Sequence, residues 1–339
     1  MYFRFQQLVQ NCDDNRYNPA VTPALRIEIH PDRLAFRNNE VGFTEEQVFA
    51  LCNIGASTKP KAAAAAAAAG TEADGATAGY IGNKGIGFKS VFKVSQKPCV
   101  HSRTYHFQFD SDGAASDGFA YIIPSPLSPP SGWDFSQGTD IILPFKKDSS
   151  TGNKSTGHRG DIGAFASEDG CSEANIDSGR SEVFEMVRAN VYDIESSLLL
   201  FLNRLRRIEI VDTSQAPPHR RVMCRREEAD GVVLIEDSSS STDSSAERWL
   251  VTSRVLRAGV KRGERPEGEL TRLSVAIPLL PAATLRPGSS PPPSRDVFAF
   301  LPLRSYGFRW VLQVMRAKDR KNDFVVLKKW LSKKLNQLF

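Results

Sequence analysis

Apolar and polar residues alternate over Leu25-Arg26-Ile27-Glu28-Ile29-His30 and again over Arg33-Leu34-Ala35-Phe36-Arg37, with Pro31-Asp32 between the two runs. A period of two predicts a hairpin with one buried face. The stretch before it has a different rhythm. Phe5, Leu8, Val9 and Cys12 recur at helical spacing, which predicts a helix from Met1 to Tyr17, while Gln7, Asn11 and Asp14, spaced by four and three, share another face. Thr44 followed by Glu45, Glu46 and Gln47 opens a short helix through Leu51, with Gln47 at the capping-box position.

Further strands are predicted at Tyr105 to Asp110, Ala120 to Ile123, Gly138 to Phe145, Arg207 to Asp212, Trp249 to Ser253 and Leu273 to Ile277. Val297 to Trp310 reads as strand, turn, strand, and Val183 to Leu205 as one helix. Between these lie polar or simple stretches: eight consecutive alanines after Lys61, a proline-rich loop from Pro124 to Gly132, and a Ser/Gly/Asp/Asn-rich connector from Lys146 to Arg180 that reads as disordered. Phe324, Leu327, Leu331, Leu335 and Leu338 form an apolar stripe on a Lys-rich tail. Such a helix suits a partner or a membrane surface.

Composition narrows the class. With 339 residues, 40% of them hydrophobic, the chain has the material for a core. No run of about 18 apolar residues occurs, and Asp13 and Asp14 interrupt the first 20 residues, so neither a membrane span nor a signal peptide is expected. Cys12, Cys52, Cys99, Cys171 and Cys224 are odd in number and widely spaced, which predicts free thiols and an intracellular setting, cytoplasmic or nuclear. The net charge of +5 resides in the tail: eight Lys or Arg against two Asp from Val314 onward leave the remainder at −1. A general footprint for nucleic acid is therefore not expected. His30, His101, His106, His158 and His219 form no paired-helix phosphoacceptor pattern.

The chemistry begins at Gly79-Tyr80-Ile81-Gly82-Asn83-Lys84-Gly85-Ile86-Gly87-Phe88-Lys89-Ser90-Val91-Phe92. Gly82, Gly85 and Gly87 free the backbone to turn several N–H groups toward one anion, Lys84 and Lys89 add charge, and Phe88 onward reads as the first turns of a helix facing the same anion. This stretch resembles the second glycine box of the GHKL nucleotide-binding fold shared by gyrase, the ninety-kilodalton heat-shock chaperones, histidine kinases and MutL. Within it, Gly85 to Phe92 is most similar to the NO VEIN and sacsin type of ATPase domain.

Other boxes follow in the family's order. The Gln7, Asn11, Asp14 helix resembles the N-box, which implies Asn11 as a magnesium ligand and Gln7 at the place of the general base, where the family has Glu. An amide accepts no proton at neutral pH, and a positioned base contributes about 10²–10⁴ in rate. Asn38-Asn39-Glu40-Val41-Gly42 sits where the first glycine box is expected, with Asn38 in place of the adenine-binding Asp, Glu40 in place of the first glycine, and Gly42 as the second. Residues 56–79 would then be the lid, and Thr139 would reach the adenine.

The resemblance implies an α+β protein: residues 1–147 a Bergerat-type sandwich, a mixed sheet with helices on one face, and 148–180 a linker. A smaller transducer-like α+β domain would occupy 181–313, and 314–339 a basic tail. Its implied ligands are ATP and Mg, with nucleotide contacts from Asn11, Asp14, Asn38, Gly42, Gly82, Lys84, Gly85, Gly87, Phe88 and Thr139. The implied function is a chaperone-like conformational switch with weak or absent hydrolysis, acting on protein clients or partners. An active ATPase of the same fold and a scaffold that binds no nucleotide stay open.

Overall fold

The computed structural model describes residues 6–52, 88–111, 123–134, 138–146, 182–240, 242–257, 270–280, 294–299, 301–305 and 307–316. The lid, the glycines of the 79–87 stretch, the linker at 148–180, the Ala120 to Ile122 portion of one predicted strand, and the tail from 317 lie outside the described residues.

The predicted hairpin forms from β1 (Ala24–Ile29) and β2 (Arg33–Asn38), antiparallel, with Ile27 opposite Phe36. Leu25, Ile27 and Ile29 are fully buried, so the alternation does select the covered face. Strand β2 pairs with β6 (Thr139–Pro144), which pairs with β3 (Cys99–Ser102); β4 (Tyr105–Gln108) and the two-residue β5 (Ser125–Pro126) complete that side.

On the other edge of the hairpin, β7 (Arg207–Asp212) runs parallel to β1. From β7 the chain meanders through β8 (His219–Glu227), β9 (Val232–Ser239), β10 (Thr242–Arg257) and β11 (Leu270–Pro278). Beyond β11 come β14 (Val311–Arg316), β12 (Asp296–Ala299) and β13 (Leu301–Ser305), with β12 and β14 parallel. Among the described residues all fourteen strands form one mixed sheet and helices are few, and the fold class is α+β.

The helices pack on one face of it. Helix α1 (Gln6–Asp13) inserts Leu8, Val9 and Cys12, and α3 (Glu182–Tyr192) inserts Phe184, Val187 and Val191, into a single core with Ile27, Phe36, Ile208, Ile210, Met223 and Ile235. Helix α2 (Glu45–Cys52) starts after Thr44, whose N–H donates to Gln47 Oε1 at 2.8 Å, as the capping-box reading required.

Two helical predictions change form. Residues Phe88–Lys93 make a 3₁₀ helix, not the start of an α-helix. The buried positions Phe88, Val91 and Val94 are three apart, which matches three residues per turn and places all of them on the core side. The helix expected from Val183 to Leu205 stops at Tyr192 and resumes as a 3₁₀ segment, Ser196–Phe201. Arg221 of β8 explains the stop, since its Nη1 donates to the carbonyls of Ile194 at 2.9 Å and Tyr192 at 3.4 Å. Arg225 treats the second segment the same way, donating to Leu202 O at 2.7 Å and Leu199 O at 3.3 Å. Carbonyls that a continuous helix would have bonded internally are satisfied by guanidiniums from the sheet. Burial lowers the Arg225 pKa to about 10, with Arg206 acting in the same direction.

Toward the far edge, the second strand expected within Val297 to Trp310 is β13, which follows β12 directly. Phe308 and Trp310 stack at 4.5 Å and cover a small satellite core of Val297 and Leu312. The strand after them, β14, runs on past position 313 to Arg316.

Candidate functional site

The sheet register brings separate segments to one place. Thr139 opens β6 directly opposite Asn38, the last residue of β2, and Ser102 closes β3 opposite Thr139. The loop Asn39 to Phe43 runs over this junction, fixed by Asn39, whose side chain donates to Thr22 O at 2.8 Å and accepts from Ala24 N–H at 2.7 Å. Val41 N–H donates to Arg16 O at 2.9 Å.

Two glycines make the approach possible. A Cβ on Gly138 would lie 2.0 Å from Asn38 O and 2.7 Å from Glu40 N, both backbone atoms. Gly42 has φ +86°, and a Cβ there would meet Arg103 Cγ at 2.2 Å. A side chain at position 138 would have to move backbone, and one at position 42 would displace the Arg103 side chain and strain a left-handed conformation.

At the centre is a buried line of hydrogen bonds. Phe43 N–H donates to Ser102 Oγ at 2.8 Å, and Ser102 Oγ and Thr139 Oγ1 are 2.6 Å apart. Thr139 gives its hydroxyl hydrogen to Glu40 Oε1 in a short bond, so the Ser102 hydroxyl donates to Thr139. Glu40, Ser102 and Thr139 are all buried. The residue standing where the resemblance has a glycine therefore terminates a one-way chain of donors.

Asn38 is held beside it. Its Nδ2 donates to Tyr17 Oη at 2.7 Å and to Ala24 O at 3.1 Å, while the Tyr17 hydroxyl donates to Cys12 O at 2.7 Å. These partners fix the amide's orientation, leaving Oδ1 as the acceptor, 3.4 Å from Asn15 Nδ2. Burial, with smaller contributions from neighbouring acidic groups, raises the Tyr17 pKa far above its ordinary value, so the phenol keeps its hydrogen. The same bonds join the end of α1 to β2.

Of the residues singled out in the sequence, Asn38, Gly42 and Thr139 are thus gathered at one junction. Gln7 and Asn11 lie partly exposed on α1, Asp14 is buried just beyond it, and Phe88 is a core residue whose ring packs 5.6 Å from that of Phe109. Gly82, Lys84, Gly85 and Gly87 fall outside the described residues. Sequence reasoning missed Ser102, Tyr17 and Glu40's role as acceptor. It also missed Asp13, whose carboxylate accepts the N–H groups of Asn203, Arg204 and Leu205, each at 2.8 Å.

A neighbouring pair was missed as well. His101 Nδ1 and His106 Nδ1 are 3.1 Å apart beneath the Trp133 ring, and burial lowers both pKa values. Among the described residues no three His, Cys, Asp or Glu converge on a metal-sized space, and no helix is long and apolar enough to cross a membrane. Among the described residues, Cys12, Cys52, Cys99 and Cys224 form no disulfide.

These features define an α+β chain with a large mixed sheet and a buried polar junction at the ends of β2, β3 and β6. The chain is similar to Protein NO VEIN of Arabidopsis thaliana, with 31% identity over 329 residues that cover 91% of this chain and 10% of that protein. It thus spans about a tenth of the length of the relative it matches. No family model matches it.

Proposed function

We propose that the chain is a GHKL-type, NO VEIN/sacsin-like nucleotide-binding domain that takes up MgATP on the helical side of its sheet and works as a chaperone-like conformational switch. The carrying observation is that Thr139, from a later part of the chain, meets the Asn38 to Gly42 segment at a junction where the Gly138 backbone leaves no room for a side chain. In this reading Asn38 Oδ1 faces the base as an acceptor, and Asp14 and Phe88 help shape the site. Gly82, Lys84, Gly85 and Gly87 cradle the phosphates, and nucleotide orders the lid at 56–79.

Magnesium would arrive with the nucleotide. No cluster of acids among the described residues would hold it alone, whereas magnesium commonly keeps one or two protein ligands beside substrate phosphates, and Asn11 offers one amide oxygen. Gln7 cannot serve as a base, so hydrolysis is slow or absent.

A second reading has its own support. The Asn38 amide and the Thr139 hydroxyl already have protein partners, as they would in a scaffold of this fold that binds no nucleotide. Calorimetric titration of MgATP into the wild type, Asn11→Ala and Gly85→Ala separates the two. Binding that weakens about tenfold or more in both variants supports the switch. A folded wild type that takes up no nucleotide at millimolar concentration leaves the scaffold. Turnover gained by Gln7→Glu would identify position 7 as the site of the lost base.

A further inference from the structure

The face of the sheet turned away from the helices carries an unusual row of charges. Asp140 on β6, Arg37 on β2, Arg26 on β1 and Glu209 on β7 stand directly opposite one another in register, acid, base, base, acid. Two arginines therefore face each other at the centre of the row, an arrangement that destabilises a strand pair unless opposite charge lies close by.

On one side Glu28 supplies it. Two residues along β1 on the same face, Glu28 forms ion pairs with both, one oxygen 2.8 Å from Arg26 Nε and the other 3.1 Å from Arg37 Nε. The mirror position, two residues back along β1, is Ala24, and its partner on β7 is another base, Arg207. Instead of a bridging acid at that position this side has a pocket of about 380 Å³, whose wall includes Ala24, the three bases Arg26, Arg37 and Arg207, the two acids Asp140 and Glu209 that hold them, and Asn38. Such a volume lies within the range of small-ligand sites, roughly 300–1,000 Å³.

The acids and the bases are layered. Glu28, Glu209 and Asp140 side chains are 9–12% exposed, whereas Arg26, Arg37 and Arg207 are 39–47% exposed. Arg26 Nη1 reaches Glu209 at 3.7 Å, Arg37 Nη1 bonds Asp140, and Arg207 Nη2 bonds Glu209 at 3.0 Å. The buried carboxylates hold three guanidiniums in place while each arginine side chain stays close to half-exposed, which lowers the ordering cost of binding an anion.

We propose that this pocket binds a phosphate monoester, whose dianion takes, on the Ala24 side of the arginine pair, the place that Glu28 takes on the other. A phosphate matches several guanidinium forks at once, and Ala24 leaves it the room. The ester is carried either by a small molecule or by a phosphorylated side chain. Its arginines lie on the sheet face opposite α1, while Asn38 and Gly138 of the candidate nucleotide junction also line it, so the Asn11→Ala control below separates the two proposals.

The test is titration of the full chain, at low ionic strength, with glycerol 1-phosphate and with a phosphoserine peptide beside its unphosphorylated twin. Saturable one-to-one binding is expected for the phosphorylated probes. It should fall about tenfold or more in Arg207→Gln, which removes charge-assisted bonds but leaves the Arg26, Glu28, Arg37 bridge. Ala24→Leu fills the pocket while keeping every arginine, and should weaken binding as much; Asn11→Ala, on the helix, should bind as the wild type does. A peptide at least tenfold tighter than glycerol phosphate assigns the ester to a protein, and a peptide equal or weaker assigns it to a small molecule. No binding by the wild type, or equal binding by the wild type and the folded Ala24→Leu variant, overturns the proposal.

Discussion

Strand β7 is anchored at both ends by fully buried aspartates, and the two use different chemistry. Where the chain approaches β7, Asp13 of α1 accepts three successive backbone N–H groups. At the strand's other end, Asp212 accepts from Arg188 Nε at 2.8 Å, Tyr192 Oη at 3.0 Å, Gln215 Nε2 at 3.0 Å, and both the N–H and the hydroxyl of Ser214, at 2.9 and 2.5 Å. Burial raises the Asp13 pKa, and three N–H dipoles do not reverse it; the charge of Asp14 adds to the rise. Burial also opposes ionisation of Asp212, yet Ser214, Gln215 and the Arg188 guanidinium together hold its carboxyl far below the ordinary value. A full set of donors satisfies an interior carboxylate, but at Asp212 a counter-charge is among the groups that keep it ionised.

This contrast can be broken experimentally. Asp212→Ala leaves Arg188 without its buried partner and strands several donors, and should cost about 3–5 kcal/mol in urea unfolding. Asp13→Ala leaves three backbone N–H groups without their acceptor, and should cost about 2–3 kcal/mol. It should also raise hydrogen exchange at Asn203, Arg204 and Leu205 while sparing Ser214. The reverse order of costs would remove the distinction drawn above.

The two aspartates also differ in their dependence on pH. The Asp212 pKa is lowered on folding, so its contribution is complete above the ordinary value of 3.8 and is lost as pH falls through the folded value. The stability gap between wild type and Asp212→Asn should therefore narrow below about pH 3.8. The Asp13 pKa is raised, so its contribution is complete below 3.8 and is lost as pH rises through the folded value. The gap between wild type and Asp13→Asn should shift in favour of the wild type as pH falls from 7 toward 4, by at most about 1.4 kcal/mol per pH unit. Urea titrations at several pH values read both slopes.

What the sequence disclosed follows from where side chains go. β1, β2, β6 and β7 alternate or run apolar because one face of each meets the helices, and their limits were legible to within a residue or two. β8 escaped notice because His219-Arg-Arg-Val-Met-Cys-Arg-Arg-Glu places arginines on its covered face, where Arg221 and Arg225 meet helix carbonyls. No local pattern announces that use. The break at Tyr192 was hidden for the same reason, since the groups that end the helix come from a later strand.

Within the candidate site, Gly42, Asn38 and Thr139 were singled out by the resemblance of their segments to the family's boxes. Ser102 was invisible, being an ordinary serine until the register of β3 against β6 brings it to Thr139. Asp13 and Asp14 were legible as a pair of acids, but which one points inward to serve the start of β7 depends on contacts 190 residues away.

The parallel pairing of β1 with β7 has a consequence for biosynthesis. When the hairpin of β1 and β2 leaves the ribosome, the strand that will flank β1 and the N–H groups that will meet Asp13 have yet to be made. Asn203 follows Asp13 by 190 residues, which at translation speeds of about 5–20 residues per second is a wait of roughly 10–40 s. For that interval β1 presents a free edge of backbone donors and acceptors, the template on which strands of other chains add. The arrival of β7 closes that edge.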